Sequence, residues 1–206
     1  MTERIENLQF FVEAASEAFG KFAVAPEARR SVGEIFAALR RPGDMRSGRG
    51  SRLPACDQLE AALAIDTADP VLLCLVDRFR AIEPHLQWGR KTSYDATASA
   101  NFDDGHANAM IVGPGGLEER RDLWLGVTLM APNVRYPDHD HAPEEVYLVL
   151  TPGEFRQGEG AWFAPGLGGS FYNTPGIRHA MRSVDAPFLA FWALLAAAPA
   201  GRSGEA

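Results

Sequence analysis

Three histidines, one carboxylate and one phenol fall into two short stretches of this chain: His139-x-His141-x-x-x-Glu145-x-Tyr147, and later His179. Imidazole nitrogen and carboxylate oxygen together suit zinc, iron, manganese, cobalt or nickel. A site made only of such side chains usually leaves coordination positions open. An open position is where a substrate oxygen can bind and be polarised. Tyr147, two residues past the glutamate, adds a proton-transfer group beside that ion. The cofactor implied is therefore one transition-metal ion, and these ligand types do not select among the five metals.

These residues have to be held by strands. In an extended segment, residues two apart share a face. His139 and His141 then point the same way, and Glu145, Tyr147 and Val149 share one face while Val146, Leu148 and Leu150 take the other. An unpaired carboxylate at a buried strand position is costly, and a cation removes that cost. His179 follows the turn-forming Pro175-Gly176 at the start of a further expected strand, which suits a return strand crossing beside the first pair.

The chain changes period about halfway. Ile5, Leu8, Val12, Ala15, Phe19 and Phe22 alternate steps of three and four, which is one helix face. Val32, Ile35, Phe36 and Leu39 repeat the pattern, as do Cys56, Leu59 and Leu63. Asp69-Pro70 supplies an N-cap and a first-turn proline for VLLCLVDRF, and Pro84 closes it. About four helices are expected over residues 1–83, with RRPGDMRSGRGSR between the second and third as a solvated, mobile loop. After Trp88 come short β segments, NAMIVG, LWLGVTLM, EVYLVL, AWFAP, GSFYN and FLAFWALL, separated by Pro-Gly and Gly-rich turns. That pattern argues for an antiparallel sandwich or small barrel. The expected organisation is mainly β with a helical N-terminal part (α+β). Residues 1–88 form a helical layer, 89–196 a β-barrel carrying the metal site, and 197–206 a flexible tail.

Composition bounds the function. A net charge of −7 disfavours binding to nucleic acid or an anionic membrane, both of which want a basic face. No stretch reaches the roughly 18 apolar residues of a membrane span. The N-terminus lacks the basic and apolar regions of a secretory signal, so a cytoplasmic location is expected. Cys56 and Cys74, both in apolar helical surroundings, read as buried free thiols.

The two-part ligand set resembles the cupin barrel, in which one motif gives two histidines and a glutamate and a second gives the last histidine. The chain departs from the usual cupin pattern at three points. Asn133 stands where glycine often opens the first motif, Pro175-Gly176-Ile177-Arg178-His179 is one residue tight, and Ser183 replaces a terminal asparagine. RYPDHDHAPEEVYLVLTPGEF, with its tyrosine after the glutamate, and the helical N-terminal half resemble more closely the cupin dimethylsulfoniopropionate (DMSP) lyases of the Q type. That resemblance implies His141, Glu145 and His179 as metal ligands, with His139 a ligand or beside one. It implies Tyr147 as catalytic base and Tyr136 as a second active-site tyrosine. The implied partner is a small zwitterionic sulfonium substrate, with no nucleic acid and no membrane, acted on by a monomer or homodimer.

The implied reaction makes chemical demands. Cleavage of DMSP to acrylate and dimethyl sulfide starts by removing a proton α to a carboxylate, a very weak acid until a cation neutralises that carboxylate. Free tyrosine, with a pKa of ~10, is only about 0.1% phenolate at pH 7. A neighbouring cation lowering that pKa by ~2 units, roughly 2.7 kcal/mol, raises the fraction to ~10%. The sulfonium wants aromatic faces that hold a cation without attacking it. Tyr136, Trp192, Trp162 and Tyr172 are the candidates, with Phe171 near them. His106 is expected to be structural or to support the site from behind, and His85 to have no role. The same ligands also suit a cupin dioxygenase or isomerase, or a metal-stabilised ligand-binding cupin without turnover.

Overall fold

The computed structural model describes residues 3–46 and 48–196; the expected tail at 197–206 lies outside them. Four helices form the N-terminal half: α1 (Glu6–Phe22), α2 (Pro26–Ala38), α3 (Leu59–Leu63) and α4 (Pro70–Ile82). Each begins or ends where local chemistry dictates. Glu6 lies in the first turn of α1 and Lys21 in its last, complementing the helix dipole. Pro26 and Pro70 occupy the first turns of α2 and α4, and the Asp69 carboxylate accepts the Val71 N–H at 3.0 Å as an N-cap. Pro84 stops α4, which runs on only as a short 3₁₀ turn, Glu83–His85. A one-turn helix, α5 (Phe102–Gly105), stands alone in the second half.

The strands are β1 (Asp44–Met45), β2 (Trp88–Gly89), β3 (His106–Val112), β4 (Glu118–Glu119), β5 (Leu123–Met130), β6 (Arg135–His139), β7 (Glu144–Val149), β8 (Glu154–Gln157), β9 (Ser170–Asn173), β10 (His179–Arg182) and β11 (Phe188–Leu195). They do not close into one hydrogen-bonded ring. Eight form a large sheet in the order β1-β4-β3-β5-β11-β7-β9, with β2 added on β3, and three form a small sheet in the order β6-β10-β8. Pairing is antiparallel except for the contact of β3 with β4. The expected AWFAP strand reduces to a bridge between Phe163 and Phe155, because Pro165 has no N–H with which to continue a ladder.

The large sheet sorts side chains by parity. Leu125, Val127 and Leu129 of β5, Val146 and Leu148 of β7, and Leu189, Phe191 and Ala193 of β11 join the helices in one apolar core. There Phe191 meets Phe79 of α4 edge-on at 5.1 Å and Phe11 of α1 at 5.7 Å. Burying such a side chain contributes about 1.5–3 kcal/mol. The opposite parity, Met130, Tyr147, Val149, Phe188 and Ala190, packs with Tyr136, Phe155 and Met181 of the small sheet in a second core. The functional site opens from this inner layer.

Two expectations need correcting. Cys56 is buried but Cys74 is exposed, because the α4 turn carries it, with Leu73, to the solvent side; both thiols are free. The Arg- and Gly-rich segment is partly ordered, since β1 pairs with β4 and the Gly43 N–H donates to Glu118 at 2.8 Å. Among the described residues no helix is long and apolar enough to cross a membrane.

Glu118, fully buried, also takes two hydrogen bonds from Arg4 at 2.6 and 3.2 Å, which ties the start of the chain to the sheet edge. Replacing one partner leaves a buried charge uncompensated. Glu118→Gln is expected to lower stability by about 3–5 kcal/mol in chemical denaturation followed by circular dichroism.

Candidate metal centre and active-site pocket

The ligand candidates come from both sheets and the loop joining them. His139 ends β6 and His179 begins β10, and the two stand opposite each other in register. Glu145 lies on β7 of the large sheet, opposite Asn173 of β9. His141 lies in the turn between β6 and β7. One ligand atom each from His141, Glu145 and His179 lie within 4.8 Å of one another. His139 is not in that set, although its ring centroid is 4.1 Å from that of His179 and 6.2 Å from that of His141.

Local backbone geometry fixes these rings. The Nδ1–H of His139 donates to the Pro137 carbonyl, that of His141 to Pro143 and that of His179 to Ile177, each at 2.9 Å. Holding the proton on Nδ1 leaves the Nε2 lone pair free, which is the tautomer a metal ligand needs. Gly176, with φ of 70°, donates its N–H to the His141 carbonyl at 3.0 Å and so ties the His141 turn to the turn before His179. The departures from the common motif keep their function. Asn133 takes the left-handed conformation, φ 59°, that glycine would supply. The Ser183 hydroxyl accepts the Val134 N–H at 2.9 Å and donates to the Ala131 carbonyl at 2.6 Å, closing that turn.

The electrostatics centre on Glu145, which is 3% exposed. Its Oε2 lies 3.3 Å from Nε2 of both His141 and His179 and accepts from Asn173 Nδ2 at 2.9 Å. Gln157 holds Asn173 in turn, donating to its side-chain oxygen at 2.7 Å. Burial alone would raise the Glu145 pKa, but the His141 hydrogen bond and the two imidazoles outweigh it and hold the carboxyl below its usual range. Burial opposes the charged form of His141 as well, yet the hydrogen bond and charge of Glu145 raise its pKa. Burial pushes His179 down and, with the neighbouring His179, His139 to about 3. His179 Nε2 is buried without a hydrogen-bond partner. An orphaned nitrogen aimed at a buried carboxylate and a second imidazole is a donor set that fits a cation.

Beside this cluster lies a pocket of about 270 Å³. Its floor is the inner parity of four strands: Asn108 and Met110, Trp124 and Thr128, Glu145 and Tyr147, Trp192 and Leu194. His139, His141, Tyr136 and Lys91 are also at its wall. Tyr147 is buried and stacked on Phe171 at 5.1 Å. Burial first, then the charge of Glu145, push its phenol well above the ordinary value, so no protein group at the site draws it down. Burial raises Tyr136 likewise. Trp192 lies over Gly126, where an added Cβ would sit 2.2 Å from the indole.

Two expected aromatic residues are elsewhere. Tyr172 pairs with Val146 and takes the helix-facing parity, where its hydroxyl donates to Glu144 at 2.6 Å. Trp162 packs among Arg182, Arg156 and Arg135, 4.3 to 5.6 Å from its ring, away from the pocket. Neither lines the pocket. His106 is structural, with its ring stacked on Phe102 and its Nε2 accepting the Lys91 N–H at 2.9 Å. Sequence reasoning missed Asn108, Thr128 and Lys91. The alternation of NAMIVG and LWLGVTLM carried a signal for the first two, a polar residue among apolar ones on a strand. Lys91, in an irregular loop, had none.

Calorimetric titration with cobalt(II) or zinc is expected to give one ion per chain, and Glu145→Gln or His179→Ala to weaken binding more than about a hundredfold. A ligand imidazole must be neutral, so protons compete with the ion. Because the pKa of His141 is raised above 6.5, affinity should begin to fall above that pH on acidification, steepening to about tenfold per unit below it. An affinity flat from pH 7.5 to 5.5 would contradict this arrangement.

The chain is 32% identical over 115 residues to the dimethylsulfoniopropionate lyase DddQ of Ruegeria pomeroyi, covering 55% of this chain and 57% of that protein. It is 33% identical over 80 residues to a putative dimethylsulfoniopropionate lyase, DddL, of Cereibacter sphaeroides, covering 39% and 34%. These matches thus span about half or less of the curated relatives' length. Among solved structures it superposes on one from a study of the DMSP lyases RdDddP and RnDddQII with a TM-score of 0.69, at 24% identity over 97% of this chain and 95% of that one. It superposes on DddQ from Ruegeria pomeroyi with a TM-score of 0.66, at 23% identity over 96% and 99%. At such identities the superpositions establish the fold. A profile of the dimethylsulfoniopropionate lyase family matches residues 27–190, from α2 into β11, and the chain belongs to that family.

Proposed function

We propose that this protein is a metal-dependent carbon–sulfur lyase that cleaves dimethylsulfoniopropionate to dimethyl sulfide and acrylate by β-elimination. Family membership supports the substrate class. The observation that carries the mechanism is that Tyr147 lines the same small pocket as His141 and Glu145, sharing one strand face with the carboxylate. In this reading His141, Glu145 and His179 hold the ion, with His139 beside them.

When bound, the ion would neutralise Glu145 and the substrate carboxylate, stabilising the charge that develops at the α-carbon and lowering the Tyr147 pKa. The remaining steps belong to the side chains. Tyr147 as phenolate takes the α-proton, and the C–H electron pair becomes the new carbon–carbon double bond. The carbon–sulfur bond breaks, dimethyl sulfide leaves with that bond's electrons, and acrylate remains. Tyr147 returns its proton to water admitted once the products have left. Trp192, whose ring packs against Gly126 and lines the pocket, offers the sulfonium a π face. Burial of the pocket's inner end keeps competing water from Tyr147, which is 2% exposed.

Headspace measurement of dimethyl sulfide from purified protein given DMSP tests the reading. Release is expected from metal-replete protein, abolished by chelation and restored by added metal. Tyr147→Phe is expected to lower kcat at least about a hundredfold with metal content unchanged. Metal-replete protein that releases no dimethyl sulfide sinks the lyase assignment, and release undiminished in Tyr147→Phe removes the base. Oxygen uptake with another substrate would favour a dioxygenase.

A further inference from the structure

On the inner side of the large sheet, polar side chains from three strands form a continuous line that ends on β6 of the small sheet. Trp192 Nε1 of β11 donates to Thr128 Oγ1 of β5 at 3.1 Å. Thr128 Oγ1 donates to Asn108 Oδ1 of β3 at 2.6 Å, across a register pair. Asn108 Nδ2 donates to the Tyr136 hydroxyl of β6 at 3.0 Å.

Chemistry sets the direction of this line. An indole N–H can only donate, so Thr128 receives at that end and its own proton is free for its other neighbour. A separation of 2.6 Å suits an O–H···O bond, whereas 3.0 Å suits N–H···O. Asn108 therefore turns its carbonyl to Thr128 and its amide to Tyr136. Tyr136 is an acceptor on that side, so its own proton points elsewhere. Among the described residues no protein atom accepts that proton, although Tyr136 is only 6% exposed and lines the pocket.

We propose that Asn108, oriented by Thr128 and Trp192, is a positioning residue that presents the Tyr136 O–H as a hydrogen-bond donor to an anionic oxygen in the pocket. Under the lyase reading, on which this identity rests, that oxygen belongs to the substrate carboxylate. With the amide reversed, Asn108 would take the phenol proton itself and Tyr136 would meet the carboxylate with lone pairs. The line thus divides the two tyrosines: Tyr136 keeps its proton and orients the substrate, while Tyr147 exchanges one. It also gives Trp192 a second role, since the ring that faces the substrate fixes the line's direction.

Three variants test this. Asn108→Leu removes the donor, Asn108→Asp offers Tyr136 an acceptor that draws its proton away, and Thr128→Val removes the orienting hydroxyl. Binding of acrylate and of propionate to the zinc-loaded protein is measured by calorimetry, with DMSP kinetics and melting temperature alongside. Asn108→Asp and Asn108→Leu are expected to weaken carboxylate binding about tenfold and to raise KM more than they lower kcat. Thr128→Val should give a smaller loss. In a Tyr136→Phe background none should have further effect, because both changes remove the same bond. Unchanged binding in Asn108→Asp, or losses that add to those of Tyr136→Phe, overturn the proposal. Coupled losses in carboxylate binding without dimethyl sulfide release would uphold it while removing the lyase reading. Release with additive losses would do the reverse.

Discussion

Glu145 carries a negative charge at a strand position closed off from water, and the arrangement of the site follows from that. Taking a carboxylate out of water costs several kcal/mol unless positive ends surround it. Here the Asn173 amide on β9 donates to it and His141 in the β6–β7 turn balances it when protonated, while the unpartnered Nε2 of His179 faces it from β10 across the sandwich. Gln157, from the small sheet, holds the Asn173 oxygen and the Tyr172 carbonyl. One end of the two-sheet sandwich is therefore joined by polar contacts around a single charge. Elsewhere the inner layer is joined by apolar packing and by the hydrogen bond from Asn108 to Tyr136.

The strand alternation makes this affordable to the fold. Helices cover the large sheet's outer face so fully that its residues on the central strands β5 and β11 are aliphatic or Phe191. Stability can be concentrated there, leaving the inner parity free for groups that stabilise little: Asn108, Thr128, Glu145 and Tyr147. Gly126 is the clearest case. It weakens a central strand, yet the missing side chain is the space in which the Trp192 ring lies.

The parts legible in the sequence were those governed by short-range periodicity. Asp69-Pro70 announces a helix start because its capping chemistry is local, and the sharing of a face by Glu145 and Tyr147 follows from a period of two. The meeting of His141, Glu145 and His179 was legible because the first two are close in sequence and the turn before His179 is explicit. Long-range register was not. Tyr172 and Phe171 are neighbours, and nothing local says which faces the helices; the pairing of β7 with β9 decides it. Trp162 could not be placed because three arginines from β6, β8 and β10 gather around it only after the small sheet forms. Asn133 looked like a departure from a glycine and proved to be a residue able to share glycine's conformation.

The three histidines take their orientation from carbonyls two residues away on their own chain. Many metal sites fix such rings through a carboxylate elsewhere in the fold, so that losing a distant side chain misaligns the ligand. Here the orienting partner is backbone, which no side-chain substitution removes. Mutation can therefore replace most neighbouring residues without disturbing the tautomers, provided the two turns keep their length. A lineage with such a cluster can drift far in sequence while its imidazoles stay set, and insertions or deletions in those turns become the changes it tolerates least.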